Sequence, residues 1–335
     1  MNRSEKIFTA LANIFPVWII GGACLALWIP STATWFQPTW IPFFLGIIML
    51  SMGLTLSLED FLRVFKVPRS IAIGIGLQYT IMPILGFSLA KIFLLPIDYL
   101  IGVVLVACCP GGTASNVICF IARSNIALSV SLTTVSTLAA VIMTPLLTTL
   151  LVESISKNIT GMAIQVNTLG LLLSTFKVVI LPVAVGVLLN HFLRTWVKKI
   201  NPYTPFIAVM SIVFIVDFIL AVKKEAIIST GASLIMVIVL LHSFGFVLGY
   251  TLSKWFKFNE KTSQTISIEV GMQNSGLATE LARSNFPDFT VATVPGAISA
   301  LTHCILGSIA AGMCRFHERF QKKKQMQSAE NELSV

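Results

Sequence analysis

Apolar runs of about 15 to 25 residues alternate with short polar connections along almost the whole chain. The first half holds five such runs, at 14–29, 42–56, 70–94, 99–121 and 126–151. The second half holds five more, at 169–189, 206–222, 227–252, 265–282 and 291–313. An α-helix crosses the hydrocarbon core of a bilayer with ~20 residues. The pattern therefore predicts an all-α polytopic membrane protein with ten transmembrane helices.

The fourth run of each half is interrupted by residues that a lipid-facing helix does not carry. The first interruption is Pro-Gly-Gly-Thr-Ala-Ser-Asn at 110–116, and the second is Glu-Val-Gly-Met-Gln-Asn-Ser-Gly at 269–276. Unwound backbone at membrane depth is stable only where it is packed in protein or lines a wet cavity. Breaks at corresponding positions of two halves indicate the binding site of a transporter. We therefore expect two broken helices that carry the function.

The ten runs form two halves of five joined by a short connection. Because five is an odd number, the second half enters the bilayer from the opposite side, and two halves of like structure would then form an inverted repeat, as in many secondary transporters. The predicted segments are a cytoplasmic N-terminus at 1–13, a first five-helix repeat at 14–152, a connecting loop at 153–168, a second five-helix repeat at 169–314 and a cytoplasmic C-terminal tail at 315–335.

Composition agrees with a membrane location. Hydrophobic residues make up 56% of the chain, charged residues make up 11%, and the mean hydropathy is +0.88, whereas soluble proteins are about one quarter charged. The net charge of +9 does not indicate nucleic-acid binding, because the Lys and Arg residues are spread among the loops. Most of them fall on the same side as the N-terminus, so the positive-inside rule places both termini in the cytoplasm.

No residue pattern indicates an enzyme. The sequence holds no HExxH, no phosphate-binding loop and no Ser/His/Asp order, and its six cysteines show no CxxC spacing. We interpret the cysteines as small apolar packing residues. His242 and His303 lie in apolar runs and are interpreted as packed, hydrogen-bonded residues between helices rather than metal ligands.

Glu269 has the clearest functional implication of any single residue. An ionised carboxylate in the bilayer interior costs several kcal/mol unless a cation, a proton or water meets it. Gln273 follows one helical turn later, so both side chains are expected on one face. Gly271 and Gly276 allow the backbone to open nearby. The oxygens of Glu269 and Gln273 are therefore candidate ligands for a small hard cation.

Oxygen-bearing side chains also accompany the first break. Thr113, Ser115 and Asn116 lie within it, while Ser129 and Thr133 are four residues apart on the next run and share a face. Hard cations such as Na⁺ favour carboxylate, amide, hydroxyl and carbonyl oxygen. The alternative is that these groups only join helices by hydrogen bonds, which is common in membranes. For the whole set together with Glu269, we favour cation binding.

The two interrupted motifs resemble the signatures of the bile acid:sodium symporter family. Gly-Thr-Ala-Ser-Asn at 112–116 and the segment 269–276 carry the resemblance in the expected order. Shorter similarities extend it over nearly the whole chain, at 15–18, 52–56, 127–130, 303 and 307–308. The resemblance implies ten helices arranged as a panel and a core, with two broken helices that cross near two sodium sites.

The resemblance also implies roles for individual positions. One sodium site would use Ser115, Asn116, Ser129, Thr133 and Glu269. The other would use Gln78, Glu269, Val270, Met272 and Gln273, with Val270 and Met272 contributing backbone carbonyls. The implied substrate contacts are Thr113, Asn274 and His303. The sequence departs from the family at Thr302 and Cys304, which leaves the cargo open between bile acids and smaller acids such as pantoate or pyruvate.

Two charged residues depart from the usual bacterial pattern of this family. Lys177 in the sixth run and Asp217 in the seventh lie about 12 Å and about 8 Å from the outer ends of their helices, at ~1.5 Å per residue. They could form a structural ion pair, or Lys177 could extend towards the membrane surface. The sharper hypothesis is that Lys177 faces the cavity and binds a substrate carboxylate.

The sequence thus predicts a sodium-coupled, alternating-access symporter of organic anions in a bacterial inner or plasma membrane. Its expected partners are the organic anion, Na⁺ ions and the lipid bilayer, with no nucleic acid and no obligatory protein partner. One alternative is a carrier of a small carboxylate coupled to protons or to sodium. A non-transporting alternative is an intramembrane sensor that binds an anion.

Overall fold

The computed structural model describes residues 3–57, 59–60, 66–160, 164–230 and 232–333. Within these residues the chain is helical and forms no β-strand. The helices of the first half are α1 (Arg3–Asn13), α2 (Phe15–Trp28), α3 (Ile41–Thr55), α4 (Pro68–Ile92), α5 (Ile97–Cys108), α6 (Ala114–Ala122) and α7 (Ile126–Thr160). Those of the second half are α8 (Thr168–Thr175), α9 (Leu181–Phe192), α10 (Arg194–Ile200), α11 (Thr204–Val222), α12 (Lys224–Thr230), α13 (Ala232–Trp255), α14 (Glu260–Gly271), α15 (Ser275–Asn285) and α16 (Val294–Leu333).

Seven helical stretches of the described chain are long and apolar enough to cross a membrane. They are Pro38–Thr55, Pro68–Ile92, Ile126–Lys157, Thr168–Phe192, Thr204–Val222, Ala232–Trp255 and Val294–Glu318. Two shorter apolar helices accompany them, Phe15–Trp28 and Ile97–Cys108. These apolar helices fit the predicted class of all-α polytopic membrane protein.

The ends of the helices follow from local sequence. Proline lies in the first turn of α2, α3, α4, α9 and α11, where its fixed φ suits a helix and its missing N–H costs nothing. Asn167, Asn259 and Asn274 accept hydrogen bonds from backbone N–H groups in the first turns of α8, α14 and α15. These residues mark where a helix begins, except at α9, which continues the helical stretch Thr168–Phe192 through the π-helical turn Phe176–Ile180.

Two helices extend further than predicted. Helix α7 continues to Thr160, into the segment 153–168 that we expected to be a loop, and α16 continues to Leu333, into the expected tail 315–335. Neither extension contains Gly or Pro, and residues 315–333 are rich in Lys, Gln, Glu and Arg, which favour helix. The parts of the predicted terminal and connecting segments at 1–2, 161–163 and 334–335 lie outside the described residues.

The helices pack in two groups. In the first group, α11 contacts α2 and α3, and α3 contacts α9. The second group consists of six helices that pack on one another: α4, α5, α7, α13, α14 and α16. One close approach in the first group is between α3 and α9, where a Cβ on Gly53 would overlap the carbonyl oxygen of Val183. The two groups meet where α11 and α2 contact α16.

Candidate functional site

The two predicted breaks cross each other. The Gly112 N–H donates to the Met272 carbonyl oxygen at 2.9 Å, and the Asn274 N–H donates to the Pro110 carbonyl oxygen at 2.8 Å. Together these bonds form an isolated antiparallel bridge between Gly111 and Gln273. Backbone groups freed by the interrupted helices therefore pair with one another, as burial in a membrane requires.

Glu269 lies beside this crossing, near the end of α14. Its Oε1 accepts a hydrogen bond from the Thr133 hydroxyl at 2.6 Å. Its Oε2 accepts hydrogen bonds from Ser115 at 2.7 Å and from Ser129 at 3.4 Å. The side chain is only 3% exposed, and among the described residues no Lys or Arg forms an ion pair with it. Hydroxyl groups therefore surround a buried carboxylate that has no positive partner.

The remaining members of this set are also in place. The Ser129 hydroxyl lies 2.8 Å from Asn116 Oδ1 and 3.4 Å from Glu269 Oε2, so these two acceptors share its one hydrogen. The Thr133 hydroxyl also lies 3.0 Å from the Ser129 carbonyl oxygen. The structure thus brings together the five residues predicted for the first sodium site: Ser115, Asn116, Ser129, Thr133 and Glu269.

The glycines of the first break make this approach sterically feasible. A Cβ on Gly111 would overlap the Glu269 carboxylate, and a Cβ on Gly112 would lie 2.7 Å from the Gln273 carbonyl oxygen. No larger residue fits at either position without moving the opposite break. Gly111, which the sequence analysis did not single out by itself, is therefore a structural determinant of the site.

Gln273 does not share a face with Glu269, so that expectation was wrong. Helix α14 ends at Gly271, and the residue that follows is extended. The Gln273 side chain instead accepts a hydrogen bond from Gln78 Nε2 at 2.8 Å and donates to the Val270 carbonyl oxygen at 3.0 Å. Among the residues predicted for the second site, Gln78, Gln273 and Val270 are joined by hydrogen bonds, while Glu269 precedes Val270 and Met272 precedes Gln273 in the chain.

One oxygen in this second group lacks a partner. Gln78 is 1% exposed, and its Nε2 donates to Gln273 and to the Cys109 carbonyl oxygen, but its Oε1 accepts no hydrogen bond from any residue that the structure describes. The Val270 and Met272 carbonyls each accept one bond and retain a second lone pair. The described residues contain no cluster of three His, Cys, Asp or Glu side chains suited to a transition metal. This all-oxygen donor set fits a hard cation such as Na⁺.

A cavity of about 290 Å³ adjoins the crossing. Its polar wall includes Thr113, Asn116, Gln273, Asn274 and His303. Three of the four side chains predicted to contact substrate, Thr113, Asn274 and His303, therefore line it, and Lys177 does not. Asn274 Oδ1 also caps α15 by accepting from the Leu277 N–H at 3.1 Å. His303 is buried, and its Nδ1 has no hydrogen-bond partner among the described residues.

The predicted contact of Lys177 with either Asp217 or the cavity is not formed. Lys177 is exposed on a π-helical turn, Phe176–Ile180, and is not among the described residues that line the cavity. Within the described parts of the chain, Asp217 Oδ1 is buried without a hydrogen-bond partner, and its carboxylate occupies the space beside Gly22 of α2. The depth of a residue along its helix does not determine the direction of its side chain, so depth alone could not predict which groups Lys177 and Asp217 contact.

Sequence reasoning missed Ser299, which bonds to the buried His242 and to Ser275. His242 itself is packed and hydrogen-bonded between helices, as predicted. The one available signal for Ser299 was its position four residues before His303, which places both on one face of α16. Serine is too common in membrane helices for that spacing to be specific.

The proteins to which this chain is similar are described as sodium symporters, sodium cotransporters or sodium-dependent transporters. The family model described as Sodium Bile acid symporter family matches residues 42–230. Probable sodium/metabolite cotransporter BASS1, chloroplastic, of Arabidopsis thaliana is 42% identical over 311 residues, which cover 93% of this chain and 75% of that protein. Probable sodium/metabolite cotransporter BASS2, chloroplastic, of Oryza sativa subsp. japonica is 42% identical over 310 residues, 92% of this chain and 72% of that one. The uncharacterized sodium-dependent transporter YocS of Bacillus subtilis (strain 168) is 38% identical over 335 residues, the full length of both.

Proposed function

This chain belongs to the sodium bile acid symporter family, and from that premise we propose that it is a sodium-coupled secondary active symporter of an organic anion. The observation that carries the proposal is the Glu269 carboxylate, buried at the crossing of two broken helices with hydroxyl donors and, among the described residues, no Lys or Arg in an ion pair with it. Na⁺ supplies the missing positive charge. The relatives whose names include sodium-dependent transport support the same assignment.

The proposed oxygen ligands form two groups, one for each of two Na⁺ ions. Ser115, Asn116, Ser129 and Thr133 would hold one Na⁺ against Glu269. Gln78, Gln273 and the carbonyls of Val270 and Met272 would hold a second. The C-terminal ends of α5 and α14 also point their partial negative charge at the crossing. Each contribution favours a cation at a position where an isolated carboxylate is costly.

Coupling to the anion follows from charge. One carboxylate with two bound Na⁺ ions leaves a local charge of about +1, which attracts an anion into the adjacent cavity. The N-terminal ends of α6 and α15, beside Thr113 and Asn274, add partial positive charge on that side. The empty site, with its net negative charge, repels the same anion. Each ligand therefore strengthens binding of the other, as a symporter requires.

The cavity favours a small carboxylate over a bile acid as cargo. Its volume of about 290 Å³ is at the lower end of the ~300 to 1,000 Å³ range of small-molecule sites. Among the described lining residues none is Lys or Arg, so the anion would be bound by Thr113, Asn274, His303 and helix N-termini. A compact acid such as pantoate or pyruvate suits such a site, and Lys177 has no part in it.

For the architecture we propose ten spans. The seven long helical stretches are completed by Phe15–Trp28 and by the two broken pairs, α5 with α6 and α14 with α15. The first repeat is 14–152 and the second is 169–314, related as an inverted repeat, with the two packed groups of helices as panel and core. Both termini lie in the cytoplasm of a bacterial cell, with the protein in the inner or plasma membrane.

Two other functions are less well supported. Proton coupling needs only the Glu269 carboxylate and gives no role to the buried Gln78 Oε1, which has no hydrogen-bond partner among the described residues. An anion sensor would not require a cation site at all. The neutral oxygens beside Glu269 support cation coupling, because hydroxyl, amide and carbonyl oxygens are the ligands that a hard cation prefers.

Uptake into proteoliposomes tests the proposal. Purified protein is reconstituted, and accumulation of radiolabelled pantoate, pyruvate and taurocholate is measured under an inward gradient of NaCl, LiCl or choline chloride at constant pH. We expect accumulation of a small carboxylate only with the Na⁺ gradient. Accumulation in choline chloride that requires an inward proton gradient would support proton coupling instead, and binding without accumulation under either a Na⁺ or a proton gradient would support a sensor.

A further inference from the structure

His242 connects the two ends of the second break. It is fully buried in α13, and its Nδ1 lies 2.8 Å from the carbonyl oxygen of Gly271, the last residue of α14. Its Nε2 lies 2.8 Å from Oγ of Ser299 in α16. Ser299 Oγ in turn lies 2.7 Å from Oγ of Ser275, the first residue of α15. This chain of hydrogen bonds begins at one end of the break and finishes at the other.

The direction of each bond is fixed by the carbonyl of Gly271. A carbonyl oxygen only accepts, so His242 Nδ1 carries the hydrogen and donates it. Nε2 of the neutral ring is then an acceptor for the Ser299 hydroxyl, and the Ser299 oxygen accepts from Ser275. Each buried donor has an acceptor, so the chain is complete with an uncharged imidazole.

The peptide that His242 contacts lies between two proposed cation ligands. Val270 and Met272 flank Gly271, and rotation of the Gly271 carbonyl would move the carbonyls on either side of it. Gln273 is affected too, because it donates to the Val270 carbonyl oxygen. Orientation of this one peptide therefore sets the positions of several oxygens in the second cation group.

The surroundings of His242 make it a rigid support. Helix α13 packs so closely on α14 that a Cβ on Gly245 would lie 3.3 Å from the Gly271 Cα. Phe246, one residue further along α13, fills the space where a Gly271 side chain would be. Movement of the Gly271 peptide away from its hydrogen bond is thereby opposed by packing on one side and by His242 on the other.

We propose that His242 is a positioning residue for cation binding: through Gly271 and through Ser299 it holds both ends of the second break, so that the Val270 and Met272 carbonyls face the ion. His242 does not itself touch the cation. This inference rests on the proposed sodium-coupled function, and the Ser299 hydroxyl is the second link of the same device.

Thermal melting of the purified protein over a range of NaCl concentrations, with choline chloride holding ionic strength constant, tests the proposal. The variants are His242→Phe, which removes both nitrogens, Ser299→Ala, which removes the middle link, and His242→Asn, whose amide offers one donor and one acceptor. Ser308→Ala is the matched control on α16, because the Ser308 hydroxyl bonds only to the Cys304 carbonyl oxygen of its own helix at 2.7 Å.

We expect the NaCl concentration for half-maximal stabilisation to rise about 10-fold in His242→Phe and Ser299→Ala, the usual effect of losing a group that orients a ligand. His242→Asn should recover part of that shift, and Ser308→Ala should match the parent.

Variants that melt at lower temperature in both salts, with an unchanged half-maximal concentration, would overturn the positioning role alone. A parent protein that Na⁺ does not stabilise would overturn the proposed sodium function, and this inference with it. If His242→Phe does not fold, Ser299→Ala and His242→Asn decide the question.

Discussion

At the scale of single residues, the site is defined by one acidic side chain without a basic partner. Sequence reasoning identified Glu269 from the cost of a charge in the bilayer, and it identified Ser129 and Thr133 from their helical spacing. It could not identify the pairing of Gln78 with Gln273, because that depends on α14 ending at Gly271. Hydrogen bonds between distant segments leave no local pattern in the sequence.

Replacing Glu269 with Gln should abolish the response to sodium. The amide keeps the shape of the side chain but removes the charge that a cation would neutralise, and loss of such a charge pair costs about 3 kcal/mol, roughly 100-fold in affinity. In choline chloride the variant should be at least as stable as the parent, because the buried carboxylate without a positive partner is gone. Melting curves in both salts measure this. Glu225→Gln, at an exposed carboxylate, is the control, and sodium stabilisation that survives in Glu269→Gln would exclude the residue as a ligand.

Asp217 and Lys177 should respond differently to neutralisation. Asp217→Asn removes the charge of a carboxylate whose Oδ1 is buried without a hydrogen-bond partner among the described residues. We therefore expect the free energy of unfolding to rise by about 1 kcal/mol. Lys177→Gln changes an exposed residue outside the cavity and should alter neither stability nor substrate affinity. Unfolding of both variants, together with the KM for uptake, measures the outcome. A tenfold weaker substrate affinity in Lys177→Gln would restore its role as a substrate contact.

At the scale of helices, the breaks were predictable and several helix ends were not. Pro110, Gly111 and Gly112 interrupt one apolar run by their backbone chemistry, and the polar segment at Glu269 interrupts the other. The extensions of α7 and α16 were missed because the end of an apolar run was taken as the end of a helix. A helix continues beyond the bilayer wherever its residues favour it and no Gly or Pro intervenes.

Gly111→Ala tests whether the crossing sets the site. The added Cβ would overlap the Glu269 carboxylate, so we expect a loss of about 1 to 3 kcal/mol from overpacking and weaker stabilisation by Na⁺. Gly46→Ala in α3 is the matched control, since a Cβ there meets nothing within 4 Å, and it should be neutral or stabilising by up to about 1 kcal/mol. Equal melting curves for the two variants would show that the break tolerates displacement.

At the scale of the whole molecule, the cavity relates the site to one side of the membrane. Thr55, at the end of α3, and Thr204, at the start of α11, both line it. These ends lie on the side that carries most Lys and Arg residues, which the positive-inside rule assigns to the cytoplasm. The described cavity is therefore expected to face inward.

Cysteine labelling tests that orientation. In a background carrying Cys24→Ala and Cys314→Ala, the remaining cysteines are buried. A membrane-impermeant maleimide should label Thr55→Cys only in inside-out vesicles, and substrate with Na⁺ should slow the reaction. Glu225→Cys, beyond the opposite end of α11, should be labelled only in right-side-out vesicles. Labelling of both from the same side would reverse the proposed topology.

The bridge between the two breaks uses main-chain atoms only, Gly112 to Met272 and Asn274 to Pro110. Its hydrogen bonds therefore do not involve the side chains of the apolar wall of the cavity, such as Ile48, Val209 and Ile212. A mutational search confined to that wall could then change which acid is carried while the ion-binding architecture stays intact. Diversification of cargo within one scaffold, by evolution or in the laboratory, would follow naturally from this separation.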